Sequence, residues 1–399
     1  MALSRKRALY VDVATTYGTD DDQDGSDYLA IPCLDIGDLS EDKAPIPTNY
    51  RTGRQWDTAP IAGPDGWSFS FSTPVIGLLT AAGDTVNASA KTNDWLDLLL
   101  THIFGTQATT IGDAIASIPD TAGFVSTAVN YVAQDLIPLW ENDVPTAGLE
   151  ATQWTLVTAA NGSYDHDVAP VFSAALTGAA VAYGAKEYRL SDTGGSSLNF
   201  AYVEDGTTYT LTGGRITSFG FDGEAGQPVK LNFSVSGDIS LAGAKASLPA
   251  ALAAPALTPI MATLSPVWFN GTAYATSKFT FDMGLETSVQ ASTSAVNGRA
   301  EYTNVRCNPS LEIEPLWTTA ILDLQRNATK GRVLLQLGAG QFASLILNTC
   351  ALHFEEAVAE TVTRSDENGR SRLTVKFKCT DKRYLTGVVA AQFMQFARA

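Results

Sequence analysis

Tyr209-Thr-Leu-Thr-Gly-Gly-Arg-Ile-Thr-Ser-Phe-Gly-Phe221, a turn, and then Val229-Lys-Leu-Asn-Phe-Ser-Val235 is the stretch that decides the fold class. On the return run Val229, Leu231, Phe233 and Val235 alternate with polar residues without a break. A period of two means a strand with one buried face and one wet face. A second hairpin of the same kind lies near the end of the chain. It reads Phe342-Ala-Ser-Leu-Ile-Leu-Asn-Thr-Cys-Ala-Leu-His-Phe354, a longer turn, and Leu373-Thr-Val-Lys-Phe-Lys-Cys379. Two copies of one β-unit point to repeated geometry in an assembly rather than to a catalytic pocket.

Working outward, each hairpin is preceded by a strand and a helix. Trp67-Ser-Phe-Ser-Phe71 alternates cleanly, and Lys278-Phe-Thr-Phe281 is its expected echo. Asn93 to Phe104 predicts a helix, with Asn93 as N-cap, Asp94 and Asp97 at the positive end and Gly105 as the stop. Its apolar face is Trp95, Leu96, Leu99, Leu100, Ile103 and Phe104. Leu316 to Asn327, opened by Pro315, predicts a second helix. Leu9–Val13 and Tyr28–Ile36 read as strands flanking an acidic loop.

The expected fold is therefore mainly β with flanking helices, in the α+β class: two β-sandwich modules joined by a Pro/Ala-rich linker. The first module spans 1–245 and carries an alanine-rich insertion at about 106–185, with helical segments expected between Ile111 and Leu136. The linker is 246–264 and the second module 265–399. Pro249, Pro255 and Pro259 make the apolar run from Leu248 to Leu264 a linker, not a membrane span. The run from Gly37 to Pro64 holds Pro45, Pro47, Pro60 and Pro64 and reads as a long functional arm.

The 399 residues suffice for two or three domains. Acidic residues number 42 against 26 basic ones, a formal charge of -16. That balance disfavours adhesion to nucleic acid, whose phosphates attract basic surfaces. Cys33, Cys307, Cys350 and Cys379 lack CxxC spacing and read as reduced, small apolar residues. Arg5-Lys6-Arg7 is not followed by an apolar run, so no signal peptide is expected.

No motif carries an enzyme. Asp20, Asp22, Asp24 and Gly25 match the first half of a calcium loop, but its twelfth position, which should be a bidentate glutamate, is Ile31. Asp192-Thr-Gly194 has the form of one half of an aspartic-protease pair, and no second copy exists in the chain. His102, His166 and His353 have no metal-ligand spacing. Gly338-Ala-Gly340 lacks the rest of a dinucleotide fingerprint. The chain is expected to be no enzyme and to require neither cofactor nor metal.

The pieces resemble the tail tube proteins, or major tail proteins, of long-tailed, siphophage-type bacteriophages. The likeness rests on Tyr209–Phe219 with Gly226-Gln-Pro-Val-Lys-Leu-Asn-Phe-Ser-Val-Ser-Gly237, and on Lys278-Phe-Thr-Phe-Asp-Met-Gly284 with the run to Pro315. It covers most of the chain apart from the insertion. The resemblance implies a structural virion protein, built in the host bacterial cytoplasm, whose rings stack into a hollow tube that conducts DNA. Two modules per chain imply trimers forming pseudo-hexameric rings, with neighbouring modules about 60° apart. It further implies other tail proteins as partners at the tube ends, DNA passing without specific binding, and no membrane. The arm would bridge rings through Glu41, Asp42, Lys43, Arg51 and Arg54. The competing class is a secreted or surface β-sandwich that binds carbohydrate, which requires an exposed aromatic cluster; Trp56 and Trp67 are its candidates.

Overall fold

The computed structural model describes residues 6–20, 22, 24–43, 65–76, 94–110, 113–117, 123–126, 129–140, 153–161, 164–169, 181–182, 185–190, 197–242, 245, 247–249, 259–263, 265–291, 299–315, 319–338, 349–367, 370–380 and 394–398. The first half opens with β1 (Arg7–Val13), β2 (Leu29–Ile31), β3 (Asp35–Ile36), β4 (Ser40–Lys43) and β5 (Asp65–Pro74), then α1 (Trp95–Phe104) and β6 (Gly105–Thr110). Six short strands follow: β7 (Asp113–Ser117), β8 (Gly123–Ser126), β9 (Leu136–Trp140), β10 (Gln153–Ala160), β11 (Asp165–Ala169) and β12 (Val181–Ala182). The half closes with β13 (Ala185–Leu190), β14 (Leu198–Glu204), β15 (Thr207–Glu224), β16 (Lys230–Gly237) and β17 (Ile239–Ala242). The second half holds β18 (Val267–Phe269), β19 (Thr272–Tyr274), β20 (Thr276–Asp282), β21 (Leu285–Ala291), β22 (Arg299–Cys307) and β23 (Ser310–Pro315). Then come α2 (Thr319–Arg326), β24 (Lys330–Leu337), β25 (Cys350–Glu367), β26 (Arg370–Cys379) and β27 (Met394–Arg398). The chain is mainly β, as its alternation predicts.

One plan of antiparallel pairing occurs twice. In the first half β1 pairs with β2 and β14, β14 with β15, β15 with β16, and β16 with β5. In the second half β18 pairs with β19 and β24, β24 with β25, β25 with β26, and β26 with β23. α1 lies between β5 and β14 in sequence, and α2 between β23 and β24. The match holds residue by residue. β15 and β25 are both 18 residues long. Each has one bulge against its return strand, at Ile216/Ser218 and at Ala359/Thr361. Aligning the bulges makes the two long strands start and end together. It also sets Phe69 and Phe71, paired with Val235 and Phe233, on Leu311 and Ile313, paired with Phe377 and Val375.

This register corrects two sequence expectations. The counterpart of Trp67–Phe71 is β23; Lys278–Phe281 lies one strand further out, in β20. The counterpart of Tyr209–Phe221 is Leu352–Arg364, ten residues beyond the expected Phe342–Phe354. Glu355, Glu356 and Glu360 interrupt the apolar pattern there, so the more apolar run ahead of them takes the eye.

The halves share one sheet. β20 pairs with β15 on one side and β23 on the other, so the strands run β5–β16–β15–β20–β23–β26–β25 without a break. β3 and β4 line the outer side of β5. β27 makes a second seam, pairing with β25 of its own half and β13 of the first, and β13 carries β6. At Gly213-Gly214 β15 leaves its partners β14 and β17; it takes up β16 from Arg215 and β20 from Gly220. Gly213 adopts φ 68, a left-handed conformation that costs glycine nothing. A Cβ on Gly214 would lie 2.8 Å from the Leu198 carbonyl oxygen.

Beneath the sheet one apolar cluster spans both halves, from Leu9 and Trp67 to Phe377 and Phe396. α1 packs into it with all six predicted face residues buried. Its cap is Asp94, whose carboxylate accepts the Asp97 N–H at 2.7 Å, one residue later than expected; Asn93 lies outside the described residues. α2 falls within the predicted span and buries Ile321; residues 316–318 lie outside the described residues.

The alanine-rich insertion is not helical in its described parts. β7 to β12 close into a six-stranded barrel, and the β6–β13 ladder brings its two ends together at Thr110 and Ala185. Alanine's helix propensity is a weak prior that tertiary pairing overrides. The barrel docks on the second seam. Leu136, Trp154 and Leu156 pack against Ala185, Leu334, Ala351 and Ala397. The Trp154 indole donates to Thr349 Oγ1 at 2.9 Å, and Gln395 donates to the Gln134 carbonyl at 3.0 Å. Both described ends of the linker bond back to the first half: Ser247 N–H donates to the Asp24 carbonyl, and Ile260 bridges Val75 and Val229. Residues 250–258 lie outside the described residues.

Candidate functional site

The seven shared strands carry a continuous polar face. Its cross-strand rows follow from register. One row is Ser72, Asn232, Gly220, Asp282, Ser310, Lys378 and Val358; the next is Lys230, Asp222, Thr280, Glu312, Lys376 and Thr361. A shorter third row is Glu224, Lys278 and Glu314. Between the first two rows, pointing the other way, runs the dry row Thr73, Leu231, Phe221, Phe281, Leu311, Phe377 and Ala359, each at most 4 % exposed. The polar rows therefore cannot turn inward without exposing that apolar row.

Charge on this face is mixed. The three rows hold five carboxylates, Asp222, Glu224, Asp282, Glu312 and Glu314, and four lysines, Lys230, Lys278, Lys376 and Lys378. Neighbours across strands pair opposite signs: Lys230 with Asp222, Glu224 with Lys278, Lys278 with Glu314, Glu312 with Lys376. Asn232 also donates to Asp222 at 2.6 Å. Such a surface offers DNA no unbroken run of cations, and phosphate affinity grows with each contact neutralised. Period-two alternation makes Lys230/Asn232/Ser234 and Thr374/Lys376/Lys378 the wet sides of the return strands, and both sets lie on this face. The alternation of those two strands does not show the five acids on the strands between them. The alternation in Ser310-Leu-Glu-Ile-Glu-Pro315 was the signal that could have found two of them.

The other predicted site residues are placed as follows. Of the arm, Glu41 is exposed on β4, Asp42 and Lys43 lie on the same strand, and Arg51 and Arg54 lie outside the described residues. In the acidic loop, Asp22 accepts the N–H groups of Gly25 and Asp27. The Lys245 ammonium bonds to the Asp20 carboxylate and the Asp22 carbonyl, 4.9 Å from the centre of the Tyr28 ring. Lys245 thus takes the Asp20 carboxylate, one of the three that the calcium reading names, and Asp24 accepts the Ser26 N–H. Among the described residues no group of three or more His, Cys, Asp or Glu side chains is placed to hold a metal. His102, His166 and His353 are buried in three separate places. Asp192–Gly194 lies outside the described residues. The four cysteines are free thiols.

Two buried charge clusters hold the halves and the barrel in place. At the second seam, Arg398 of β27 is fully buried and bonds to Asp94 at 2.7 Å and Asp97 at 3.0 Å. Lys186 and the Tyr188 hydroxyl, both on β13, also bond to Asp97. Burial pushes the Asp94 carboxyl up, but the Arg398 guanidinium outweighs it and holds the group below its ordinary range. At the barrel, Glu187 accepts the Leu136 N–H at 2.8 Å and the Arg189 guanidinium at 2.6 Å, while Arg189 also bonds to Asp135 at 3.0 Å. Burial pushes Glu187 up to about 7 against the pull of Arg189.

Neither known protein-family models nor curated proteins gave a match to this chain. Among the described residues no helix is long and apolar enough to cross a membrane.

Proposed function

We propose that this chain is the subunit of a hollow tube of the long-tailed bacteriophage kind. In this reading it is two β-sandwich modules of one fold, joined by the 246–264 linker, and three chains supply the six modules of a ring. Rings stack into a tail tube that carries DNA, other tail proteins cap the tube ends, and the polar sheet face lines the lumen. Assembly takes place in the host cytoplasm, and the role is structural, without enzymatic activity or a required cofactor. The observation that carries the reading is the doubled pairing plan, matched to the bulge, with one polar face continuous across both copies. A repeated unit joined edge to edge suits a cyclic assembly.

The mixed charge of that face supports passage rather than retention. Assembled particles mixed with short duplex DNA at about 50 mM salt are expected to retain almost none of it in a spin-down assay. Tight retention that falls steeply with added salt would contradict the conduit role. The carbohydrate-binding alternative gains no support from Trp67, which is 2 % exposed and packs against Phe69 and Phe200; Trp56 lies outside the described residues. The large apolar residues exposed among the described residues are Leu34, Val132, Tyr164, Met261 and Val289, which form no aromatic cluster.

A further inference from the structure

The β15–β20 junction joins the two halves within the chain, and the doubling predicts a counterpart to it. At the internal junction β15 pairs with β20: Gly220 opposite Asp282, Asp222 opposite Thr280, Glu224 opposite Lys278. By the register match, residues 220–224 correspond to 363–367 of β25. The counterpart of β20 is β3 with β4. Lys278 and Phe279 face Glu314 and Ile313 of β23, as Asp35 and Ile36 face Ser72 and Phe71 of β5. Asp282 faces Ser310 as Ser40 faces Ser68. One extra residue between Ile36 and Ser40 is the only difference in length.

No described strand pairs with the outer side of either half-site of this second junction. β24 pairs with β25 only as far as Val358. Gln325 of α2 takes the Glu360 carbonyl at 3.4 Å, and no described strand pairs with that side of β25 beyond it. β3 and β4 pair with β5 on one side and with no described strand on the other, where the Arg7 guanidinium bonds to the Ile36 carbonyl at 2.7 Å and would give way to an incoming strand. An open strand edge is a template for another strand. Within one chain the two edges do not pair with each other among the described residues: this part of β25 pairs with β26, and β3 and β4 pair with β5.

We propose that β25 of one copy pairs with β3–β4 of the next copy in the register of the internal junction. Thr363 then lies opposite Ser40, Asp366 opposite Ile36 and Glu367 opposite Asp35. The partner is a second copy of this chain, and the contact is head to tail, so it closes into a ring or runs on as a filament. Glu367 falls opposite Asp35 at the end of the ladder, and its register partner on β26 is Arg370. The inference rests on the reading of the chain as a ring subunit, and it adds which edges meet and in what register.

Cysteine pairs test it, on a background with Cys33→Ser and Cys307→Ser. Ser40→Cys with Thr363→Cys is expected to give covalent dimers and trimers on mild oxidation, and neither single variant should. Glu224→Cys with Lys278→Cys is the control and should close within one chain. Failure of the first pair while the control closes overturns the junction. In the unmodified protein, amides 35–40 and 363–367 should slow their hydrogen exchange together on assembly; unchanged exchange in assembled particles overturns it too. Micrographs of the same samples separate the two claims. Closed rings without the cross-link leave the tube reading standing and remove the junction. Cross-linked open filaments keep the junction and remove the ring.

Discussion

Replacing Arg398 by alanine is expected to cost about 3–5 kcal/mol of stability. The guanidinium is fully buried and answers Asp94 and Asp97 together. Without it, the buried Asp97 carboxylate keeps only the Lys186 ammonium and the Tyr188 hydroxyl, and the half-buried Asp94 carboxylate loses its guanidinium. Breaking a buried ion pair from one side is costly because the remaining charge stays desolvated. The position raises the stakes, since Arg398 sits on β27, the strand wedged between β25 and β13. The check is a denaturation curve, in which the midpoint should fall at constant slope. A loss below about 1 kcal/mol would mean that the cluster is solvated and that the C-terminal strand is held by its ladder alone.

Glu187→Gln is expected to change the pH dependence of stability by about 2.5 kcal/mol between pH 8 and pH 5. The folded carboxyl is raised to about 7 from an ordinary 4.5. A raised acid takes up its proton earlier in the folded state. Its stabilising contribution is therefore complete below about 4.5 and is lost as pH rises through about 7. Glutamine removes that titration, while its side-chain oxygen can still accept the Leu136 N–H. The variant should gain on the parent protein at pH 8 and lose that gain at pH 5. His353 works in the opposite direction. Burial lowers it to about 4, so its contribution is present at neutral pH and lost as pH falls from about 6.5 through 4. Comparing Glu187→Gln with its parent cancels the histidine. A difference that stays flat from pH 5 to pH 8 would show that Glu187 is ionised throughout and that Arg189 fully offsets its burial.

The legible parts of this fold were those where chemistry alternates along a single strand. Trp67–Phe71, Val229–Val235 and Leu373–Cys379 each show period two, and each is a strand with one face in the core. α1 was legible because its apolar stripe and its stop, Gly105 at φ 85, are both local. What failed was correspondence between distant segments. Glu355, Glu356 and Glu360 lie on β25, and they disguise a strand whose length and bulge match β15. The barrel was hidden because alanine favours helices in isolation, and only closure of the sheet decides otherwise. The polar face was half visible: the lysines stood on strands already singled out, whereas Asp222, Asp282 and Glu312 join them only through register. The two buried charge clusters were invisible, because Arg398 meets Asp94 across 304 residues of sequence.

The central claim is that each chain carries two equivalent modules and that three chains close one ring. End-on electron micrographs of the purified, assembled protein, averaged without imposed symmetry, test it most directly. The account predicts annular particles with six similar lobes, modulated threefold by the barrel described in the first half of each chain. Dispersed single chains, or rings in which every lobe bears a barrel, would contradict it.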